Sequence, residues 1–154
     1  MMVLLNLKKN DMSRIIFKAK RLDNGKWIQG SLITKSDGLK ERAYIVDHFS
    51  SMSDYSVVEV DPYTVCQFTG LYAEHKTPIY ERDVVECTYF DCQGNDTQVK
   101  GIVTWQDWGY YLKPIGKDAE KYDKKGYAYL NLPNEEEDTE SCIRVIGSKF
   151  DKEA

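Results

Sequence analysis

The stretch 84–90 restricts the possible folds more than any other, because its residues alternate in polarity with a period of two. One face carries Val85, Cys87 and Tyr89, and the other carries Glu86 and Thr88. Such alternation is typical of a strand with one buried and one solvated face. A polar, glycine-containing stretch at 91–95 and a second strand-like run at 97–105 follow. Together these stretches predict an antiparallel hairpin.

Short strand-like segments, bounded by glycine, asparagine and aspartate, recur through most of the chain. They lie at 14–20, 26–35, 42–46, 57–60, 84–90, 97–105, 108–113 and 142–146. Regular spacing of short strands is typical of small β-barrels and sandwiches. We therefore predict an all-β protein, in which an N-terminal β-meander lobe packs on an SH3-like C-terminal barrel.

The chain divides, on this prediction, into an arm or tail at 1–13, a β lobe at 14–60, a joint at 61–83 and a barrel lobe at 84–150. The joint holds two of the four prolines, and a proline ends a strand or lies at its edge. Within the joint we predict a turn at Thr69, Gly70 and Leu71, followed by a connector at 73–78 with room for one helical turn. The barrel lobe is interrupted by an inserted loop or short helix within 117–140.

The composition excludes several classes of protein. No apolar run approaches the roughly 20 residues needed to cross a bilayer. The apolar start, Met1 to Leu5, is short and is followed rather than preceded by lysines, which does not fit a signal peptide. We therefore predict a cytoplasmic protein without a membrane partner, with its four cysteines reduced.

Charge is distributed unevenly along the sequence. Residues 1–50 carry ten basic and five acidic side chains, a net charge of +5, and residues 51–154 carry eleven and twenty, a net charge of −9. Such asymmetry is found in proteins that bind nucleic acid and in those that associate head to tail. A surface on which the two signs mix is the third interpretation. Candidate nucleic-acid contacts are Lys18, Lys20, Arg21 and Lys26.

Residues suited to metal or nucleophilic chemistry are few. Cys66, His75, Cys87 and Cys92 are potential zinc ligands, but no two of them form a tight Cys-x-x-Cys pair. Phosphate-binding loops, dinucleotide fingerprints and nucleophile elbows are absent from the sequence. We predict no metal, no cofactor and no catalytic residue.

Two acidic residues of the joint, Glu81 and Asp83, are the alternative catalytic candidates. Alternation would place both on one side of a strand, where they could hold a cation or act as acid and base in a hydrolase. The structural interpretation is that Asp83, entering a strand, accepts backbone N–H bonds from the turn before it.

Aromatic residues cluster near the end of the predicted hairpin. The cluster comprises Trp105, Trp108, Tyr110 and Tyr111. It could stack the bases of a single-stranded nucleic acid, but only Lys113 is near to meet phosphates, and Asp107 lies among the rings. Core packing and an oligomer interface are the other interpretations.

Four pieces of the sequence occur in a distinctive order. The two central pieces are Gln67, Phe68, Thr69, Gly70 and Leu71, then Ile79, Tyr80, Glu81, Arg82, Asp83 and Val84. The flanking pieces are 17–20 with 26–30, and Val145, Ile146 and Gly147 with the three residues after them. This ordered set resembles the YopX family of phage and prophage proteins. Glycine is usual in the family where Cys66 and Arg82 stand, and tyrosine where Phe68 stands. The resemblance implies a phage-encoded, intracellular, mostly β protein with an SH3-like C-terminal part, and it implies no activity.

The function predicted from these observations is that of a non-enzymatic binding or assembly module. Its partners would be further copies of the chain, which would make a homo-oligomer, or an unknown phage or host protein. A nucleic-acid-binding accessory protein is the alternative prediction, and a hydrolase that uses Glu81 and Asp83 is the third.

Overall fold

A computed structural model of the chain describes residues 15–47, 56–133 and 142–151. The fold is all-β, as predicted, with two antiparallel sheets. The chain divides into two compact units, Met1–Gly70 and Leu71–Ala154. No helix within the described ranges has the length and apolar character that a bilayer crossing requires.

The first unit contains the predicted β-meander. Its strands are β1 (Phe17–Lys20), β2 (Trp27–Ser36), β3 (Glu41–Asp47), β4 (Ser56–Val60) and β5 (Cys66–Ala73), the last of which continues into the second unit. Their order across the sheet is β4-β3-β2-β1-β5.

The meander curls so that its first and fourth strands meet at one end. A bridge joins Arg21, just after β1, to Val60 of β4. The Leu22 amide donates a hydrogen bond to the Glu59 carbonyl at 3.2 Å. This curl encloses a small core of Ala19, Ala43, Ile45 and Val60, each at most 1% exposed.

The second unit is built on a five-stranded sheet. Its elements are β6 (Thr77–Tyr80), β7 (Asp83–Phe90), β8 (Asp96–Gln106), β9 (Gly109–Pro114), α1 (Lys117–Asp123), β10 (Leu130–Asn131) and β11 (Ile143–Ser148). The sheet order is β10-β9-β8-β7-β11. The alternating face of β7 points inward, because Val85 and Cys87 are fully buried beside Val99, Val103 and Leu112. The SH3-like character of this unit stays a prediction.

The turn predicted at Thr69–Leu71 is wrong, because these residues lie inside β5. Gly70 does adopt a positive φ of 85°, but the chain continues as a strand on both sides of it. The neighbouring threonine, phenylalanine, leucine and tyrosine all favour extended backbone. The connector predicted after Ala73 is a single turn, Glu74–Lys76, followed by β6. This turn is not a regular helical one, because His75 and Lys76 both have a positive φ of 57°.

The predicted hairpin is present, with β7 paired to β8. Of the insertion predicted within 117–140 as a loop or short helix, the described part contains the short helix α1 and the two-residue strand β10. In the β7–β8 loop, the Asp91 carboxylate accepts hydrogen bonds from the amides of Gln93 and Asn95 at 2.8 and 2.9 Å. The predicted arm at 1–13 and the acidic run at 134–140 lie outside the described residues.

Candidate functional site

The β8–β9 hairpin turns through two residues, Asp107 and Trp108. The residues on either side, Gln106 and Gly109, face each other in the strand register. Both loop residues have positive φ, 43° for Asp107 and 73° for Trp108. Positive φ at both positions is the pattern of a type I′ turn, which strongly favours Asp-Gly or Asn-Gly. We call residues 105–110 the hairpin tip.

Trp108 occupies the loop position that glycine usually takes. The left-handed conformation costs a residue with a Cβ roughly 1–2 kcal/mol. Packing does not offset this cost, because the Trp108 side chain is 94% exposed. Strained backbone is typically found at functional sites, so the turn is a candidate for function.

Trp105 and Tyr110 form a cross-strand pair beside the turn. Their ring centroids lie 4.8 Å apart, and the ring planes meet at 69°. The pair that precedes them on this face, Val103 and Leu112, is fully buried. The apolar face of the hairpin therefore runs from the core directly to Trp105, which is 51% exposed.

The hairpin tip carries acidic rather than basic side chains. Asp107 makes no hydrogen bond or ion pair within the described parts of the chain. Burial raises the pKa of the Tyr110 hydroxyl, and the negative charge of Glu81 raises this pKa further. Lys113 lies on the opposite face of β9, since Tyr110 and Leu112 alternate with it. Tyr111 shares that opposite face and pairs with Asn131 of β10.

The predicted basic residues of the first unit are only partly brought together. The ammonium groups of Lys18 and Lys20 lie 4.8 and 5.3 Å from the centroid of the Trp27 ring. Arg21 instead pairs with Asp23, with 2.6 Å between Nη2 and Oδ2. Lys26 is exposed in the loop before β2.

The signature residues that resemble the YopX family serve mainly as core and backbone elements. In the first unit Gln67 is exposed, Phe68 is buried, and Thr69 and Gly70 are half-buried within β5. In the second unit Ile79, Tyr80 and Asp83 are buried, Leu71, Glu81, Val84, Val145 and Gly147 are half-buried, and Ile146 is exposed.

Two pieces of the signature meet in the second unit, although about 60 residues separate them in the sequence. Asp83 faces Ser148 and Val84 faces Gly147 in the β7–β11 register, and a bulge lies between Val145 and Gly147. The Lys149 amide donates a hydrogen bond to the Arg82 carbonyl at 2.9 Å. These two pieces therefore form the turn that begins β7 and the part of β11 that pairs with it.

The turn bonding expected of Asp83 is present. Its Oδ2 accepts a hydrogen bond from the Tyr80 amide at 2.9 Å, and the side chain is 1% exposed. Glu81 points to a different partner, with its Oε1 3.9 Å from Arg82 Nε. The two carboxylates therefore serve separate contacts and do not form the shared cation site considered above.

Arg82 adopts the left-handed conformation that favours glycine, with φ of 65°. Its guanidinium carbon lies 5.5 Å from the centroid of the Phe150 ring. Arg82→Gly and Arg82→Ala both remove this contact. The difference between their free energies of unfolding therefore reports the cost of the left-handed backbone conformation alone. We expect Arg82→Gly to be more stable than Arg82→Ala by about 1 kcal/mol in urea unfolding. Equal stability of the two variants would show that the turn relaxes to another conformation.

The potential zinc ligands are dispersed. Cys66 and Cys87 are buried, Cys142 is half-buried, and Cys92 and His75 are exposed. Across the three described ranges, no group of three or more histidine, cysteine, aspartate or glutamate residues is arranged to hold a metal ion.

No protein-family model, curated protein or solved structure matches the chain. The assignment of candidate sites therefore depends on the geometry above. By that geometry the hairpin tip is the strongest candidate, because it combines strained backbone with exposed indole.

The cysteines should differ widely in reactivity. Burial raises the pKa of the Cys87 thiol to about 12. Because only the thiolate is nucleophilic, Cys87 stays protonated and unreactive at neutral pH. We expect iodoacetamide to label Cys92 first and Cys87 only after unfolding, as followed by peptide mass spectrometry. Labelling of Cys87 as fast as Cys92 in the folded protein would contradict the burial of β7.

Proposed function

We propose that this protein is a non-enzymatic binding or assembly module that contacts its partner through the hairpin tip. It is, on this proposal, a phage- or prophage-encoded YopX-like protein that acts in the cytoplasm of a bacterial host. The partner is a further copy of the chain or a phage or host protein.

One observation carries the proposal: Trp108 is almost fully exposed on a turn whose backbone favours glycine. Tryptophan is among the residues most enriched at the energetic centres of protein interfaces. Trp108 lowers the stability of the isolated chain, and such a cost is expected of a residue that is retained because it binds a partner. Trp105, half-exposed beside it, extends the apolar surface.

The Trp108→Gly variant tests the proposal, because it creates the Asp-Gly turn that this geometry favours. We expect the variant to gain about 0.5–1 kcal/mol in stability, since strain is relieved and little packing is lost. Thermal unfolding should shift upward by about 3 °C. An unchanged or lowered midpoint would mean that the indole stabilises the isolated fold.

Binding is tested with the parent and the Trp108→Gly variant as parallel baits in extracts of prophage-carrying cells. A partner, or a second copy of the chain, that the parent retains and the variant loses supports the proposal. The matched control is Tyr63→Ala, since Tyr63 is 84% exposed and lies outside the hairpin tip. Equal retention by the parent and Trp108→Gly contradicts the assigned surface.

A nucleic-acid-binding accessory protein is the second candidate, favoured by the two lysines over Trp27. Ammonium groups beside an aromatic ring are typical of surfaces that bind single strands. The test is salt-dependent binding of a labelled oligonucleotide that Lys18→Gln and Lys20→Gln weaken. Binding that neither substitution changes would remove this candidate.

A further inference from the structure

The aromatic rings of the protein differ in whether a cation lies near them. Lys18 and Lys20 lie over Trp27, Lys121 and Lys125 over Tyr122, and Arg82 over Phe150, all within 5.7 Å of a ring centroid. At such distances the negative face of the ring attracts the cation. The chain therefore uses this contact in both of its units.

The indoles of the hairpin tip differ in this respect. Within the ranges that the structure describes, no lysine or arginine lies over Trp105 or Trp108. Tryptophan gives the strongest cation–π attraction of the three aromatic side chains. The Tyr110 ring packs against Trp105 with an angle of 69° between the ring planes. The rest of the half-exposed Trp105 indole faces solvent.

Carboxylates supplement the attraction of the rings. Asp107 is exposed at the turn itself, next to Trp108 in sequence. The negative charge of Glu81 also acts on Tyr110, since it raises the pKa of the Tyr110 hydroxyl. The negative charge of these carboxylates attracts a cationic partner and repels phosphate groups.

From this charge complementarity we propose that the hairpin tip binds a lysine or arginine side chain presented by a basic segment of a protein partner. The inference rests on the proposed function, since it names the chemistry of the surface to which that function is assigned. The cationic head lies over the Trp108 or Trp105 ring, and Asp107 balances its charge. A single-stranded nucleic acid is the competing occupant, and its phosphates would meet Asp107 instead of a cation.

The test uses the full chain carrying Trp27→Phe, so that the indole fluorescence comes from Trp105 and Trp108 alone. The probes are a tetra-arginine peptide with blocked ends, a tetra-glutamate peptide of the same design and a ten-nucleotide oligo-dT. We expect only the arginine peptide to change the fluorescence, with affinity that falls as salt rises. Trp108→Gly and Asp107→Asn should each weaken this binding, the former by about tenfold.

Asp96→Asn is the matched control, because Asp96 is exposed in the same strand, β8, but lies at the end far from the hairpin tip. Arginine-peptide binding that survives in both Trp108→Gly and Asp107→Asn overturns the inference, as does Trp108-dependent binding of oligo-dT without binding of the arginine peptide. If the arginine peptide does not bind while capture of a cellular partner still requires Trp108, the proposed binding function is supported and the proposal of a cationic partner is wrong. If capture does not require Trp108, the proposed function itself falls.

Discussion

Gly30→Ala is expected to unfold the first unit or to destabilise it by about 3 kcal/mol or more. A Cβ added at Gly30 would lie 2.0 Å from the carbonyl oxygen of Val46 and 2.8 Å from its carbonyl carbon. Both atoms belong to the backbone of β3, so no side-chain rotation relieves the clash. β3 is held on both sides by β2 and β4, and Ile45 next to Val46 is fully buried.

Gly38→Ala provides the matched control. Gly38 has φ of 87°, but a Cβ there would meet nothing within 4 Å. Alanine at this position should cost only the left-handed conformation, about 1 kcal/mol. Urea unfolding followed by circular dichroism would compare the two variants. Stabilities of Gly30→Ala and Gly38→Ala within experimental error of each other would mean that β2 and β3 separate at low cost.

The sequence predicts strands best where burial is one-sided. In β7 the residues that alternate inward, Val85 and Cys87, are also the fully buried ones. In such a strand the polarity of each residue indicates whether it is buried. The alternation therefore predicts both β7 and its hairpin partner β8. An insertion at 117–140 is also predicted, as a loop or a short helix, because its charges and tyrosines interrupt the strand pattern, and α1 lies within it.

Glycine is the residue that misleads in this chain. Gly70 indicates a turn by propensity, but it lies within β5, where its neighbours favour extended backbone. Gly30 looks like an ordinary strand residue, and only the distance to Val46 reveals why a side chain cannot fit. Such close approaches depend on which strands become neighbours, and local sequence does not specify that.

The sequence indicates the aromatic cluster of the hairpin tip but not the position of its turn. The sequence placed Trp108 at the start of a strand, and the structure places it in the turn. Turn rules favour glycine at that position, so they point away from tryptophan. Pairing Trp105 with Tyr110 brings Gln106 opposite Gly109, and this second pair leaves only Asp107 and Trp108 for the loop.

Asp83→Ala is expected to destabilise the second unit by about 2–3 kcal/mol. The Asp83 side chain is 1% exposed, and its Oδ2 accepts the hydrogen bond of the Tyr80 amide at 2.9 Å. Alanine would leave that amide without the carboxylate acceptor. A buried donor left without its partner costs roughly 1–3 kcal/mol, and the removed atoms leave a cavity in addition.

The position of Asp83 increases the expected effect. The turn it closes also supplies the Arg82 amide to the Val103 carbonyl at 2.7 Å and the Arg82 carbonyl to the Lys149 amide at 2.9 Å. These two bonds reach β8 and the residue after β11. Loosening the turn therefore weakens contacts to separate parts of the second unit, and the loss is larger than that of one hydrogen bond.

Asp83→Asn separates the two roles that the sequence allowed for this residue. Its amide oxygen still accepts from the Tyr80 amide, so we expect a smaller loss of stability than for alanine. Asp96→Ala, at an exposed position, should change the free energy of unfolding by less than about 0.5 kcal/mol. A structural Asp83 predicts the stability order Asp96→Ala, then Asp83→Asn, then Asp83→Ala in urea unfolding. If Asp83→Ala unfolds like the parent, and turnover in a hydrolase screen is lost in Asp83→Asn, the carboxylate acts in chemistry instead.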